Sequence, residues 1–187
     1  MATRFEIAAG MRDAALAGAL RKALRRAGDG LLIAGDLSGG MDDARGLADW
    51  VGALGDAPVP VALAARGPLG PRGVALLLVA DLTALAPGVA APADWPDAPG
   101  APALASRALG PAARALVLEG GDLVAALAAT GRLTVADDPL AAAEARLAAA
   151  GPGAARRRAS LTAAANLPLR EALDFDLWHH RAERDSR

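Results

Sequence analysis

Residues 57–86 read APVPVALAARGPLGPRGVALLLVADLTALA. The stretch parses as an apolar strand over Val59–Ala65, a glycine turn, a buried helix over Val74–Val79 and a short strand over Leu82–Leu85. A strand that stops at a glycine turn and runs at once into a helix leaves the first helical N–H groups without intrahelical partners. Those groups favour developing negative charge, such as an oxyanion. The turn at 67–73 is therefore the first place to look for a site, and strand–helix–strand is the unit from which the rest of the fold is built.

The same alternation extends upstream. Arg4–Ala8 is a strand candidate, and Asp13–Ala27 sets Leu16, Leu20 and Leu24 on one helical face before Gly28-Asp29-Gly30 ends the helix. Leu31–Ile33 is a buried strand, and AGDLSGG (34–40) is a loop feeding a helix over Asp42–Leu54 with Leu47, Val51 and Leu54 inward. This order predicts an α/β fold with a mainly parallel sheet whose strands are buried on both faces. Downstream, the Pro- and Gly-rich run 86–102 forbids a long helix or a central strand. Ala103–Leu109, Pro111–Leu118, Asp122–Thr130, Pro139–Ala150, Arg156–Asn166 and Arg170–Arg184 are then helical by propensity, so the remainder is predicted to be all helix. We expect one domain with an α/β core over 1–102 and a helical region over 103–187 that packs on it and takes part in oligomer contacts.

Composition narrows the classes of function. The formal net charge of −1 offers no global field for nucleic acid. The absence of cysteine excludes disulfides, thiol nucleophiles and thiolate metal sites. No uninterrupted apolar run, Val74–Ala80 included, approaches the roughly 20 residues of a membrane span, and acids at Glu6 and Asp13 argue against a secretory leader. A cytoplasmic protein with no membrane partner is expected. His179 and His180, the two histidines, point about 100° apart on a helix and cannot share a metal as a simple helical pair, so no metal site is expected. No Walker-type phosphate loop and no G-x-G-x-x-G after a strand supports nucleotide chemistry.

Read together, PVALAARGPLGPRGVALLLVADL (60–82) and APGAPALASRALGPAARALVLEGGDLVAALAATGRLTVADDPLAAAEARLAAA (98–150) resemble the crotonase superfamily of enoyl-CoA hydratases and isomerases. The resemblance runs from Leu31 to about Leu173 and implies a crotonase-like ββα spiral core with a C-terminal helical region. It lacks the family's first hairpin and much of its first substrate loop. In that family two backbone N–H groups polarise a thioester carbonyl. The resemblance implies one donor at Ala34 or Gly35, in the AGDL segment, and the other at Arg72 or Gly73, with a coenzyme A thioester as ligand. It also gives Arg156, Arg157 and Arg158 a role in meeting the coenzyme A phosphates, although a short basic run is more often a solvated helix face.

The chain departs from the pattern where the chemistry sits. Pro71 and Arg72 stand where the family has small residues, and proline donates no N–H. Arg72 fits an anionic ligand and a turn released from catalytic selection equally well. The helix glutamate of the hydratases falls on Ala75, which cannot move a proton. The second glutamate is matched by Asp94 or Asp97, which otherwise read as turn residues capping local N–H groups. Asp36 reads as a loop or N-cap residue, and Asp81 as a strand-entry residue. A Clp-type peptidase site, which needs a serine in the second turn and a histidine soon after, is not expected, since the turn reads GPLGPRG and no histidine precedes His179.

Two expectations of different class follow. One is a small enzyme on an acyl-CoA thioester in which Asp94 or Asp97 handles a proton. The other is a non-catalytic crotonase-like subunit supporting a partner acyl-CoA enzyme; the expected assembly is a homotrimer or hexamer, which would suit the enzyme, or a hetero-oligomer with another crotonase-like chain, which would suit the subunit. Phe175, Leu177 and Trp178 would anchor such an interface.

Overall fold

The computed structural model describes the backbone of residues 2–185 and the side chains of residues 2–178. His179 and His180 lie outside the residues whose side chains are described. The element order is β1 (Thr3–Ile7), α1 (Asp13–Leu24), β2 (Leu31–Gly35), α2 (Ala44–Gly55), β3 (Val61–Ala65), α3 (Pro71–Val79) and β4 (Leu82–Leu85). There follow α4 (Ala101–Leu109), α5 (Ala113–Glu119), α6 (Leu123–Ala129), β5 (Leu133–Val135), α7 (Pro139–Ala150), α8 (Ala154–Asn166) and α9 (Leu169–Asp185).

The five strands form one parallel sheet in the order β1-β2-β3-β4-β5. Because the order advances in one direction, right-handed crossovers put every connecting helix on the same face. That face carries the main core, where Leu16 and Leu20 of α1, Trp50 and Leu54 of α2 and Leu76 and Leu77 of α3 pack on Leu31, Ile33, Val61 and Leu63. The other face is built from small residues, Ala34, Ala62, Ala64 and Ala84, on which Ala143 and Leu147 of α7 lie. Alternation of side chains along each strand divides the two cores: Leu31 and Ile33 face one way, Leu32 and Ala34 the other. The expected burial on both faces holds for β2, β3 and most of β4, whereas edge strand β1 keeps Arg4 and Glu6 exposed.

The region predicted to be all helix contributes a strand. Leu133–Val135 is only three residues long and joins the sheet through pairing of Thr83, Ala84 and Leu85 with Leu133, Thr134 and Val135. Its turn is held by Arg146 of α7, which donates to the Thr83 and Arg132 carbonyls at 2.9 Å each and to the Gly131 carbonyl at 2.5 Å. Other boundaries move for local reasons. Helix α1 stops at Leu24 rather than Ala27 because Arg26 and Ala27 N–H groups tighten onto Ala23 and Leu24 carbonyls. Strand β2 runs on to Gly35, and β3 begins at Val61 because Pro60 has no N–H for the ladder. Helix α3 begins at Pro71, whose fixed φ suits the first helical position, rather than at Val74. Helix α4 begins at Ala101, inside the predicted loop, after Gly100 turns the chain at φ 78°.

Candidate functional site at the carboxyl edge of the sheet

In a parallel sheet the strand ends and the N-termini of the following helices gather along one edge, where open α/β folds hold their ligands. Here that edge carries Gly35, Ala65 and Leu85 together with the starts of α1, α2 and α3. It is the edge to which the predicted residues Ala34, Gly35, Arg72 and Gly73 belong.

The first turn of α3 is covered by the chain's own backbone. The segment 37–39 crosses the helix start: the Leu37 carbonyl accepts the Gly70 N–H at 2.9 Å, and the Gly39 carbonyl accepts the Arg72 N–H at 3.2 Å. The fit requires glycine at 70, since a Cβ there would lie 2.2 Å from the Ser38 carbonyl oxygen. A Cβ on Gly73 would lie 2.6 Å from the Leu37 carbonyl oxygen. Of the first helical positions, Pro71 has no donor and the Arg72 donor is engaged by Gly39.

The Arg72 side chain turns inward and is 4% exposed. Its Nε and one terminal nitrogen each lie 3.2 Å from Oδ1 of Asp13, which is fully buried at the start of α1. The Trp50 indole N–H donates to the same oxygen at 3.2 Å, and the N–H groups of Asp42 and Asp43 donate to Oδ2 at 2.8 and 3.2 Å. Asp13 in turn donates its own N–H to Asp42 at 2.9 Å, while the Arg12 Nε donates to the other Asp42 oxygen at 3.2 Å. The Asp13 N–H holds the Asp42 carboxyl down at about 2, against an ordinary 3.8. This network ties the starts of α1, α2 and α3 together, and every buried polar side-chain atom among the described residues has a partner. Gly46 is required beside it, because a Cβ there would come 2.7 Å from the Asp13 Cβ.

The remaining predicted positions are dispersed. Ala34 and Gly35 sit in β2, opposite Glu6 and Ile7 of β1; Gly35 is held at φ 108° against the Ile7 backbone, and the next N–H, of Asp36, is bonded to the Ile7 carbonyl. Ala75 is 1% exposed inside α3, where seven of nine residues are buried and no carboxylate or histidine is present. Asp94 and Asp97 are exposed on the loop after β4, at a short 3-10 turn fixed by buried Trp95, whose indole N–H donates to the Gly121 carbonyl at 2.9 Å. Neither carboxylate caps the turn. Asp36 makes an Asx turn instead of a helix cap, accepting from the Ser38 N–H at 3.0 Å and its hydroxyl at 2.6 Å. That hydroxyl lowers the Asp36 pKa. The N-cap of α2 is Asp43, which accepts from Arg45 and Gly46 N–H groups at 3.0 Å each.

The three consecutive arginines diverge, as neighbours on a helix must. Arg156 pairs with Asp176 at 3.1 Å, and Arg157 donates to the carbonyls of Ala150 and Pro152. Arg158 pairs with Asp81 at 2.7 Å and caps α2 through the carbonyls of Leu54, Gly55 and Ala57. Asp81 also accepts the Val61 N–H at 2.8 Å, which fits its reading as a strand-entry residue. Arg157 and Arg158 therefore belong to the amino edge of the sheet, opposite the start of α3, and two cavities of about 400 and 730 Å³ lie along that edge as well.

Sequence reasoning missed Asp13, Trp50 and Asp42. An aspartate at a helix start was visible, but its arginine partner lies 59 residues away and no local pattern connects them. No cluster of three or more metal-binding side chains occurs among the described residues, and no helix among them is long and apolar enough to cross a membrane.

No family model and no curated protein matches the sequence. Solved structures do match over nearly the whole chain. An enoyl-CoA hydratase from Polaromonas sp. JS666 is similar at TM-score 0.75 and 17% identity, with 97% of this chain and 88% of that one covered. An enoyl-CoA hydratase/isomerase family protein from Silicibacter pomeroyi is similar at TM-score 0.67 and 20% identity, over 96% of this chain and 97% of the other. An enoyl-CoA hydratase from Thermoplasma volcanium GSS1 gives TM-score 0.73 and 17% identity, over 91% and 80%. At these identities the likeness is one of architecture: the chain has the fold of the enoyl-CoA hydratases and isomerases, the crotonase fold.

Proposed function

We propose that this chain is a crotonase-fold protein without hydratase chemistry, working as a binding or structural subunit beside an acyl-CoA enzyme. The observation that carries the reading is the engagement of the Arg72 N–H by the Gly39 carbonyl, beneath a backbone segment that covers the start of α3. A thioester carbonyl held at Arg72 would need that donor and that space, and Gly73, the other expected donor position, packs too closely against the Leu37 carbonyl to admit even a Cβ. Two further features support it: Ala75 is buried with no carboxylate on its helix, and Arg72 is committed to Asp13. The partner would dock on the outer face of α9, where Leu173 and Leu177 are each 53% exposed and Trp178 is 64% exposed. The assembly this reading proposes is a hetero-oligomer with another crotonase-like chain, whereas a homotrimer or hexamer belongs to the divergent-enzyme reading.

Native mass measurement of the purified complex, with an acyl-CoA titration on the isolated chain, tests the reading. A mixed complex with a second crotonase-like chain, and no binding by the isolated chain, is expected. A homo-oligomer that binds and turns over acyl-CoA would overturn it.

A second reading, a divergent acyl-CoA enzyme, has one feature in its favour. Asp94 and Asp97 are exposed near the carboxyl edge and accept no hydrogen bond from a described side chain or N–H group, which leaves either free to handle a proton. Under that reading D94N/D97N abolishes turnover while leaving assembly unchanged.

A further inference from the structure

At the amino edge of the sheet, the ends of α2, α3 and α4 and the side of α8 enclose a groove of about 400 Å³. Its walls are largely apolar, formed by Leu78, Val79, Leu82, Leu104 and Leu161. Leu161 is 72% exposed although it stands at the groove wall. Four arginines, Arg107, Arg132, Arg157 and Arg158, line it together with one carboxylate, Asp81, which pairs with Arg158.

The helix ends explain part of this charge. C-terminal carbonyls concentrate negative potential, and cations placed there are stabilised. Arg158 spends its donors on Asp81 and on the end of α2. Arg132 spends its own on the carbonyls of Leu78, Ala80 and Ala108, the ends of α3 and α4. Arg157 meets the end of α7 through Ala150 and Pro152. Arg107 is different: it lines the groove, is exposed, and has no hydrogen-bond or ion-pair partner among the described residues. Asp81 is already shared by Arg158 and the Val61 N–H.

We propose that this groove binds a linear aliphatic carboxylate, with its head on the Arg107 guanidinium and its chain along Leu78, Val79, Leu82, Leu104 and Leu161. An apolar cleft with one convergent polar group is the common form of a small-molecule site. A guanidinium fork matches a carboxylate in a bidentate pair. A doubly charged phosphate head would find Arg132 and Arg158 already committed to carbonyls, so one free fork favours a monoanion. Covering Leu161 removes exposed apolar surface from water, which adds to the affinity. The proposal stands apart from the acyl-CoA reading, because the groove lies at the other end of the sheet from the start of α3.

Isothermal titration of the intact protein with decanoate, below its micelle concentration, tests the idea, with decanol as the neutral probe of equal chain length. Saturable one-to-one binding of decanoate is expected, with decanol weaker by about tenfold. R107Q should lower decanoate affinity by about tenfold and leave decanol unchanged, while L161S should weaken both. Arg107 and Leu161 are exposed, so an unchanged circular dichroism spectrum is expected for each variant. Absence of saturable decanoate binding, equal affinity for decanol, or indifference to R107Q would overturn the proposal. So would displacement of decanoate by free coenzyme A at lower concentration, since that would make the groove a phosphate site.

Discussion

The ion pair between Arg72 and Asp13 is the most exacting place to test how the three helix starts are held. Asp13 is fully buried and the Arg72 side chain is 5% exposed, so R72M leaves a carboxylate out of water without its counter-charge. Removal of one partner of a buried pair costs about 3–5 kcal/mol. Three N–H donors remain on Asp13, from Trp50, Asp42 and Asp43, which places the expected loss near the lower end, about 3 kcal/mol. D13N should cost about as much, because it strands the guanidinium beside a neutral amide. The double variant R72M/D13N removes both charges, and replacement of a buried pair by neutral groups is often close to neutral. Its loss should therefore fall well below the sum of the singles, with a coupling energy of about 2 kcal/mol. Equilibrium urea unfolding of all four proteins reads this directly, a loss of about 3 kcal/mol moving the midpoint by roughly 1–2 M. Single losses below about 1 kcal/mol, or additivity within about 0.5 kcal/mol, would refute the view that this pair fastens α1 to α3.

Three other outcomes are expected. G35A should lose about 3 kcal/mol, because φ is 108° and a Cβ would lie 2.3 Å from the Ile7 carbonyl oxygen; an unchanged thermal midpoint would contradict this. In acid, Asp42 should contribute to unfolding with a definite sign: its folded pKa of about 2 lies below the ordinary 3.8, so its stabilisation is complete above the ordinary value and lost as the pH falls through about 2. Urea midpoints measured between pH 5 and pH 2 should fall less steeply for D42N than for the parent, and parallel curves would remove Asp42 from the acid response. A75E restores the residue type that hydratases carry at this helix position but buries a carboxylate at a site 1% exposed, so it should lose about 3–5 kcal/mol without gaining crotonyl-CoA hydration. Measurable hydration by A75E would mean that the start of α3 is open to a thioester after all.

The amino-acid sequence by itself determined the fold class and the order of elements as far as β4. Apolar runs such as 61–65 and helical faces such as Leu16, Leu20 and Leu24 are local patterns, and glycine and proline punctuate them because those residues alone change which backbone angles are available. The turn at 67–73 was legible for the same reason, as was Ala75, since an absent side chain needs no tertiary context. Tertiary structure alone decided the rest. Strand β5 is three residues long and has no periodicity to read; it exists because β4 offers it a ladder and Arg146 holds its turn. The neighbours of Arg72 could not be read from its flanks, because the Gly39 carbonyl and the Asp13 carboxylate arrive from distant segments. Parallel pairing gathers helix starts far apart in sequence along a single edge, so whether a turn is open to a ligand or filled by the chain itself is fixed by long-range packing, to which local patterning is blind.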